Sequence, residues 1–149
     1  MNIHYESIVP SPVPDVFAFF NDIQNLKRIT PASMNMKILE VDGDMGPGTR
    51  ITMRVQPFVI PLTWVAHIVE VVPNQYFVDT IEKGPFAQWR HRHEFYPHEN
   101  GTRLVDDVEF QLPLYPLSGP VQKWIARPQL LRMLEHRHNA TYEFFSKRK

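Results

Sequence analysis

The sequence contains no cysteine, so disulfides, thiolate metal sites and a cysteine nucleophile are all excluded. Redox chemistry would need a borrowed cofactor, and no cofactor is expected. Also missing is any apolar run near the ~20 residues that span a bilayer, which argues against an integral membrane segment. The opening Asn2-Ile3-His4-Tyr5-Glu6 alternates polar and apolar instead of forming a secretory leader, and the expected compartment is the cytoplasm. Neither sign of charge is in excess, with 16 Lys+Arg against 16 Asp+Glu. The basic cluster Lys147-Arg148-Lys149 is too short to track a phosphate backbone, so nucleic acid is not an expected partner. There is no glycine-rich phosphate loop and no G-x-S-x-G elbow. Ser7, Ser11, Ser33, Ser118 and Ser146 lie in no motif that marks a nucleophile.

What is present suits one domain over residues 1–149. A chain of 149 residues typically buries ~70% of its extended surface, and 43% hydrophobic with 12% aromatic residues supplies one sizeable core. The 14 prolines stand at element boundaries, not in one low-complexity tract. Ile3, Tyr5, Ser7 and Val9 alternate with His4, Glu6 and Ile8, predicting a first strand that ends at Pro10. Ser11 is placed to cap a helix with Pro12 and Pro14 in its opening turn, and Asp22 to cap a second short helix that stops before Pro31. From residue 37 the pattern becomes strand and turn: Lys37–Val41, Arg50–Gln56, Leu62–Val72, Tyr76–Glu82, Gln88–Tyr96 and Arg103–Phe110. Asp42-Gly43, Gly46-Pro47-Gly48, Pro73-Asn74, Gly84-Pro85 and Asn100-Gly101 supply the turns, and their shortness implies antiparallel neighbours.

Prolines return at Pro113, Pro116, Pro120 and Pro128, around a short apolar piece with Val121, Trp124 and Ile125 that reads as a lid. A long helix is then predicted from Gln129 to Ser146. Its apolar positions span an arc of roughly 200° at 100° per residue, wider than the ~100° stripe of a surface helix, so the helix should be embraced by the sheet.

The order strand, two short helices, six strands, long helix resembles the START-like helix-grip superfamily, in particular the SRPBCC ligand-binding group with its polyketide cyclase/dehydrase-like members. The resembling stretches are Pro12 to Asp22, Val71-Val72-Pro73-Asn74-Gln75-Tyr76-Phe77-Val78-Asp79, Gly84-Pro85-Phe86 with Trp89, His91, His93 and Phe95, and then Thr102, Leu104 and Asp106. The resemblance implies an α+β fold: a seven-stranded curved antiparallel sheet wrapped around the C-terminal helix, with two short helices between strands 1 and 2. Between sheet and helix such proteins hold lipids, sterols, polyketides or other apolar molecules. Some are enzymes and many only bind.

Strand period places Trp89, His91, His93 and Phe95 on one face. With the turn centred near Glu99, antiparallel registry sets Phe95 opposite Leu104, His93 opposite Asp106, His91 opposite Val108 and Trp89 opposite Phe110. A carboxylate beside His93 fixes its tautomer and raises its basicity, as a structural pair, a ligand-orienting pair or an acid/base couple requires. His91 and His93 form an H-x-H that could reach one metal, with Asp106 or His138 as third ligand, but the pattern is short and common and no metal is predicted. Arg137 and His138 fall inside the apolar arc. Arg137 is read as snorkelling from its edge or pairing with an acidic neighbour, and His138 as the pocket candidate. Met53, Trp64, Tyr142 and Phe145 complete the expected apolar wall.

Three functions follow as expectations. The first is binding of a largely apolar small molecule in a site that includes Trp89, with its polar end oriented by His91, His93, Asp106 and His138. The second is a cyclase, dehydratase or isomerase of a polyketide-like substrate, with His93 as base and Asp106 as its orienter. The third is a protein-interaction module.

Overall fold

The computed structural model describes residues 1–57 and 59–147; Arg148 and Lys149 of the terminal basic cluster lie outside the described residues. β1 runs Asn2–Val9, followed by α1 (Val13–Asn21), α2 (Ile23–Arg28) and a short 3-10 turn, Ala32–Met34. β2 (Lys37–Asp42), β3 (Arg50–Val55), β4 (Leu62–Val72), β5 (Tyr76–Lys83), β6 (Gln88–His98) and β7 (Gly101–Gln111) come next. They form one antiparallel sheet of seven strands in the order β1-β7-β6-β5-β4-β3-β2. Register shifts between Ile38 and Glu40, Val65 and Ala66, and Ile68 and Glu70 insert unpaired residues, and such bulges bend and twist the strands that carry them.

Local chemistry explains most boundaries. Asp22 caps α2 as expected, its Oδ1 accepting from Gln24 N at 3.0 Å. Ser11 does not cap α1: the N-cap is Pro12, in extended conformation, with Pro14 in the first turn. Proline fits there because the first backbone N–H groups of a helix have no intrahelical acceptor. Between β6 and β7, Glu99 and Asn100 make the turn, and Gly101 sits at φ +136°, where a Cβ would lie 2.1 Å from the Val9 carbonyl oxygen.

The C-terminal helix is longer than the sequence pattern indicates. α3 (Gly119–Val121) passes through a π-helical turn, Gln122–Ala126, into α4 (Arg127–Ser146). Pro128 does not end it, because a π turn at a helix start absorbs the missing N–H and the ring's clash with the preceding turn. The apolar piece expected as a lid is therefore the first part of this helix. Val121, Trp124 and Ile125 are exposed, Trp124 at 71%, while Gln122 is buried and accepts from Leu112 N at 2.9 Å.

Three apolar clusters hold the layers together. Leu130 and Leu134 of α4 pack with Ile3, Trp89, Val108 and Phe110. Phe145 joins Val9, Val16, Phe17, Phe19, Phe95 and Leu104. Met36, Ile51, Met53, Val55, Ala66 and Ile68 form a third group under α2. Each such fully buried side chain contributes roughly 1.5–3 kcal/mol. Within the sheet α4 packs closest to β1, so the β2–β4 half is not covered by the helix in the same way, and a space remains there. Among the described residues, no helix is long and apolar enough to cross a membrane.

Candidate functional site

The space between α4 and the sheet is a cavity of about 120 Å³. Its apolar wall comes from β3 and β4 (Ile51, Met53, Val55, Trp64, Ala66, Ile68), from α2 and the segment after it (Ile23, Leu26, Met34, Met36), and from Phe77 and Trp89. Trp64 and Trp89 meet edge to face, with ring centroids 5.1 Å apart. The other end is polar, with Asp79 from β5, His91 and His93 from β6, Asp106 from β7, and Arg137 and His138 from α4.

Strand register builds this end. β6 and β7 pair with Phe95 opposite Leu104, His93 opposite Asp106, His91 opposite Val108 and Trp89 opposite Phe110, as the sequence predicts. Asp106 also pairs across to Tyr5 of β1, so its carboxylate sits centrally under the helix. It meets three histidines, not one. His91 Nε2 lies 2.6 Å from Oδ1, His138 Nε2 2.5 Å from Oδ2, and His93 Nδ1 3.1 Å from Oδ1. The Ser7 hydroxyl and His138 Nδ1 are hydrogen-bonded at 2.5 Å, and Tyr5 packs its ring edge-on against the imidazole at 4.6 Å.

His93 has a second carboxylate that the sequence reading missed. Asp79 Oδ2 lies 2.8 Å from His93 Nε2, while Asp79 Oδ1 accepts from Trp89 Nε1 at 3.3 Å. A registry centred on Pro85 would have found it, since β5 and β6 set Asp79 opposite His91 and Phe77 opposite His93. Phe77 and His91 stack on the two sides of His93, at 4.0 and 3.6 Å between centroids.

With Asp79 hydrogen-bonded at Nε2 and Asp106 within ion-pair distance of Nδ1, the surroundings of His93 favour the imidazolium form. Burial alone would depress its pKa, but the hydrogen bonds of Asp106 and Asp79 outweigh that and raise it to about 9. His91 moves the other way: burial and the adjacent His93 charge lower it, keeping it neutral. Burial would raise both carboxylates, yet hydrogen bonds from His138 and His91 hold Asp106 well below the usual range, and His93 holds Asp79 down. Asp79, His91 and His93 each offer one ligand atom within 4.8 Å of the others, near enough to bridge a cation, though each of these side chains already engages in a hydrogen bond.

Met53, Trp64, Trp89, His91, His93, Asp106 and His138 thus share one cavity. Tyr142 and Phe145 do not. Tyr142 stands at the rim of the helical arc and is 50% exposed, and Phe145 is spent in the core against α1, one helical turn beyond Thr141. Arg137 is partly exposed and, among the described residues, forms no ion pair with an acid. It lines the cavity, and its Nε is shut off from solvent with no hydrogen-bond partner, while burial lowers its pKa.

A curved antiparallel sheet gripping a C-terminal helix over such a cavity defines a helix-grip domain of the START-like, SRPBCC type. The chain belongs to the family described as polyketide cyclase / dehydrase and lipid transport, whose model matches residues 9–135. Among solved structures it is similar to a START superfamily protein from Mycobacterium smegmatis, with 15% identity, a TM-score of 0.77 and 99% of each chain covered. A protein from Thermus thermophilus gives 17% identity and a TM-score of 0.77, covering 96% of this chain and 95% of the other. A protein of unknown function from Staphylococcus aureus gives 16% identity and a TM-score of 0.73 over 99% and 94%. These likenesses concern the fold. No curated protein matches the sequence.

Proposed function

We propose that residues 1–149 act as one domain that binds a small, largely apolar molecule between sheet and helix, with the molecule's polar end turned toward Asp79, His91, His93, Asp106, Arg137 and His138. The observation that carries this reading is the division of one cavity into an apolar wall and a buried polar end. Size narrows the class. An apolar void of ~150 Å³ accommodates benzene, so a cavity of about 120 Å³ suits a single aromatic ring or a short chain. A lipid or a multi-ring polyketide would require the walls to part. Met53, Trp64 and Trp89 serve as wall, and the His–Asp cluster as a fixed polar floor.

The catalytic alternative asks His93 to remove a proton as general base. Its two nitrogens face carboxylates, so no lone pair is free at neutral pH, and we assign it the role of a fixed positive charge. The interaction-module reading draws support from the exposed Leu114, Leu117 and Trp124. Titration with toluene, followed by nuclear magnetic resonance of the methyl groups of Met53, Ile51 and Ile68, tests the primary reading. Saturable shifts confined to the cavity are expected. Shifts confined to Leu114, Leu117 and Ile125, or none, would replace it.

A further inference from the structure

Resting on the cavity-binding function, we propose that the polar end selects a neutral hydrogen-bond donor, a hydroxyl group on a one-ring apolar body, through the lone pair of His91 Nδ1. The three imidazoles around Asp106 offer six ring nitrogens, and five of them are engaged. His93 faces Asp79 through Nε2 at 2.8 Å and Asp106 through Nδ1 at 3.1 Å. His138 meets Asp106 through Nε2 and Ser7 through Nδ1, both at 2.5 Å. His91 gives Nε2 to Asp106 at 2.6 Å, and among the described residues its Nδ1 has no partner. That nitrogen is also open to a void. Among the described residues, the side-chain nitrogen and oxygen atoms both closed to water and unpartnered are Thr49 Oγ1, Ser118 Oγ and Arg137 Nε, and His91 Nδ1 is not one of them. His91 is 2% exposed and lines the cavity, so the open space beside it is the cavity. Trp89, on the apolar wall, meets the His91 ring edge to face at 6.0 Å, which puts His91 where the wall gives way to the polar end.

Hydrogen bonding fixes which way this nitrogen works. A carboxylate only accepts, so the His91 nitrogen that meets Asp106, Nε2, carries the proton. A second proton on Nδ1 would set two cations face to face, since His91 stacks on His93 at 3.6 Å between centroids. Arg137 lines the same end and opposes that proton too. Asp79 and Asp106 pull the other way, but Asp106 is shared among His91, His93 and His138, and Asp79 is committed to His93 and Trp89. Burial and the adjacent His93 charge lower the His91 pKa accordingly. The ring is thus the neutral Nε2–H tautomer, and Nδ1 is an acceptor. A buried acceptor left unmade is costly. A hydrocarbon that fills the void leaves the lone pair bare, an ether brings only another acceptor, and a hydroxyl completes the bond. The room available, about 120 Å³, limits the body that carries it to about one ring.

Phenol, toluene and anisole separate these cases. Phenol and toluene match in size, and anisole keeps the oxygen but has no proton to give. Calorimetric titration of the full chain at pH 7 should show phenol binding about tenfold tighter than toluene or anisole. In a His91→Phe variant, which keeps a ring against His93, the advantage of phenol should vanish while toluene still binds. Nitrogen-15 resonances of the unmodified protein provide a readout that needs no variant. The free protein at pH 7 should show His91 Nδ1 without a proton, and its signal should move toward the protonated position with phenol and not with toluene. Equal affinity for phenol and toluene, anisole matching phenol, a phenol preference that survives His91→Phe, or a protonated Nδ1 in the free protein would each overturn the inference and leave the cavity reading intact. If neither phenol nor toluene binds, the cavity reading itself falls, and this inference with it.

Discussion

Raising the pH from 6.5 to 9 should strip the fold of the stabilisation that His93 supplies. Its folded pKa of about 9 lies above the ordinary 6.5, so the folded state holds a proton that the unfolded chain releases. The contribution is complete below pH 6.5 and disappears as pH rises through 9. At about 1.4 kcal/mol per pH unit that interval amounts to roughly 3 kcal/mol, and His93 is only 8% exposed, so solvent screening discounts little of it. Urea unfolding of the wild type and a His93→Gln variant, run across this range, isolates this contribution, because glutamine keeps hydrogen-bonding capacity without titrating. The stability gap between the two proteins should shrink by roughly 3 kcal/mol from pH 6.5 to 9, and the His93 ring proton signal should titrate with a midpoint near 9. Parallel stability curves, or a midpoint near 6.5, would refute the argument that two carboxylates hold this ring as a cation.

Asp106→Asn removes the charge that three imidazoles share and replaces one of its two accepting oxygens with an NH2 donor, so a loss of about 3–5 kcal/mol is expected in chemical unfolding, together with a lower His93 midpoint. Leu134→Ala, at a position 1% exposed between α4 and β7, should cost about 2–5 kcal/mol in the same assay without moving that midpoint. Gly101→Ala forces a Cβ to within 2.1 Å of the Val9 carbonyl oxygen at φ +136°; a thermal unfolding transition lowered by the equivalent of at least about 2 kcal/mol should follow.

The parts of the fold legible in the sequence are those governed by short-range rules. Period-2 alternation and turn residues locate β4 to the residue, Leu62–Val72, and the Asn100-Gly101 turn fixes the β6–β7 register on which the His93–Asp106 contact depends. Asp79 stays hidden although the same arithmetic, centred on Pro85, pairs it with His91. The helix start escapes the pattern because Pro128 ordinarily marks a boundary, while a π turn absorbs it here. Angular position along α4 puts Arg137, His138 and Tyr142 in one arc, but only the shape of the opposing sheet decides that the rim residue, Tyr142, is half exposed while Arg137 and His138 line the cavity. Whether Arg137 finds a carboxylate depends on where the carboxylates are already committed, and that is long-range information.

The placement of the three tryptophans gives the molecule its own optical reporter. Trp64 and Trp89 form the edge-to-face pair on the cavity wall, whereas Trp124 stands 71% exposed on the far side of the helix start. A guest entering between sheet and helix changes the polarity around the first two indoles and leaves the third bathed in solvent. Emission that resists iodide quenching therefore comes mainly from the wall, and its colour shift on titration reads occupancy without any attached dye.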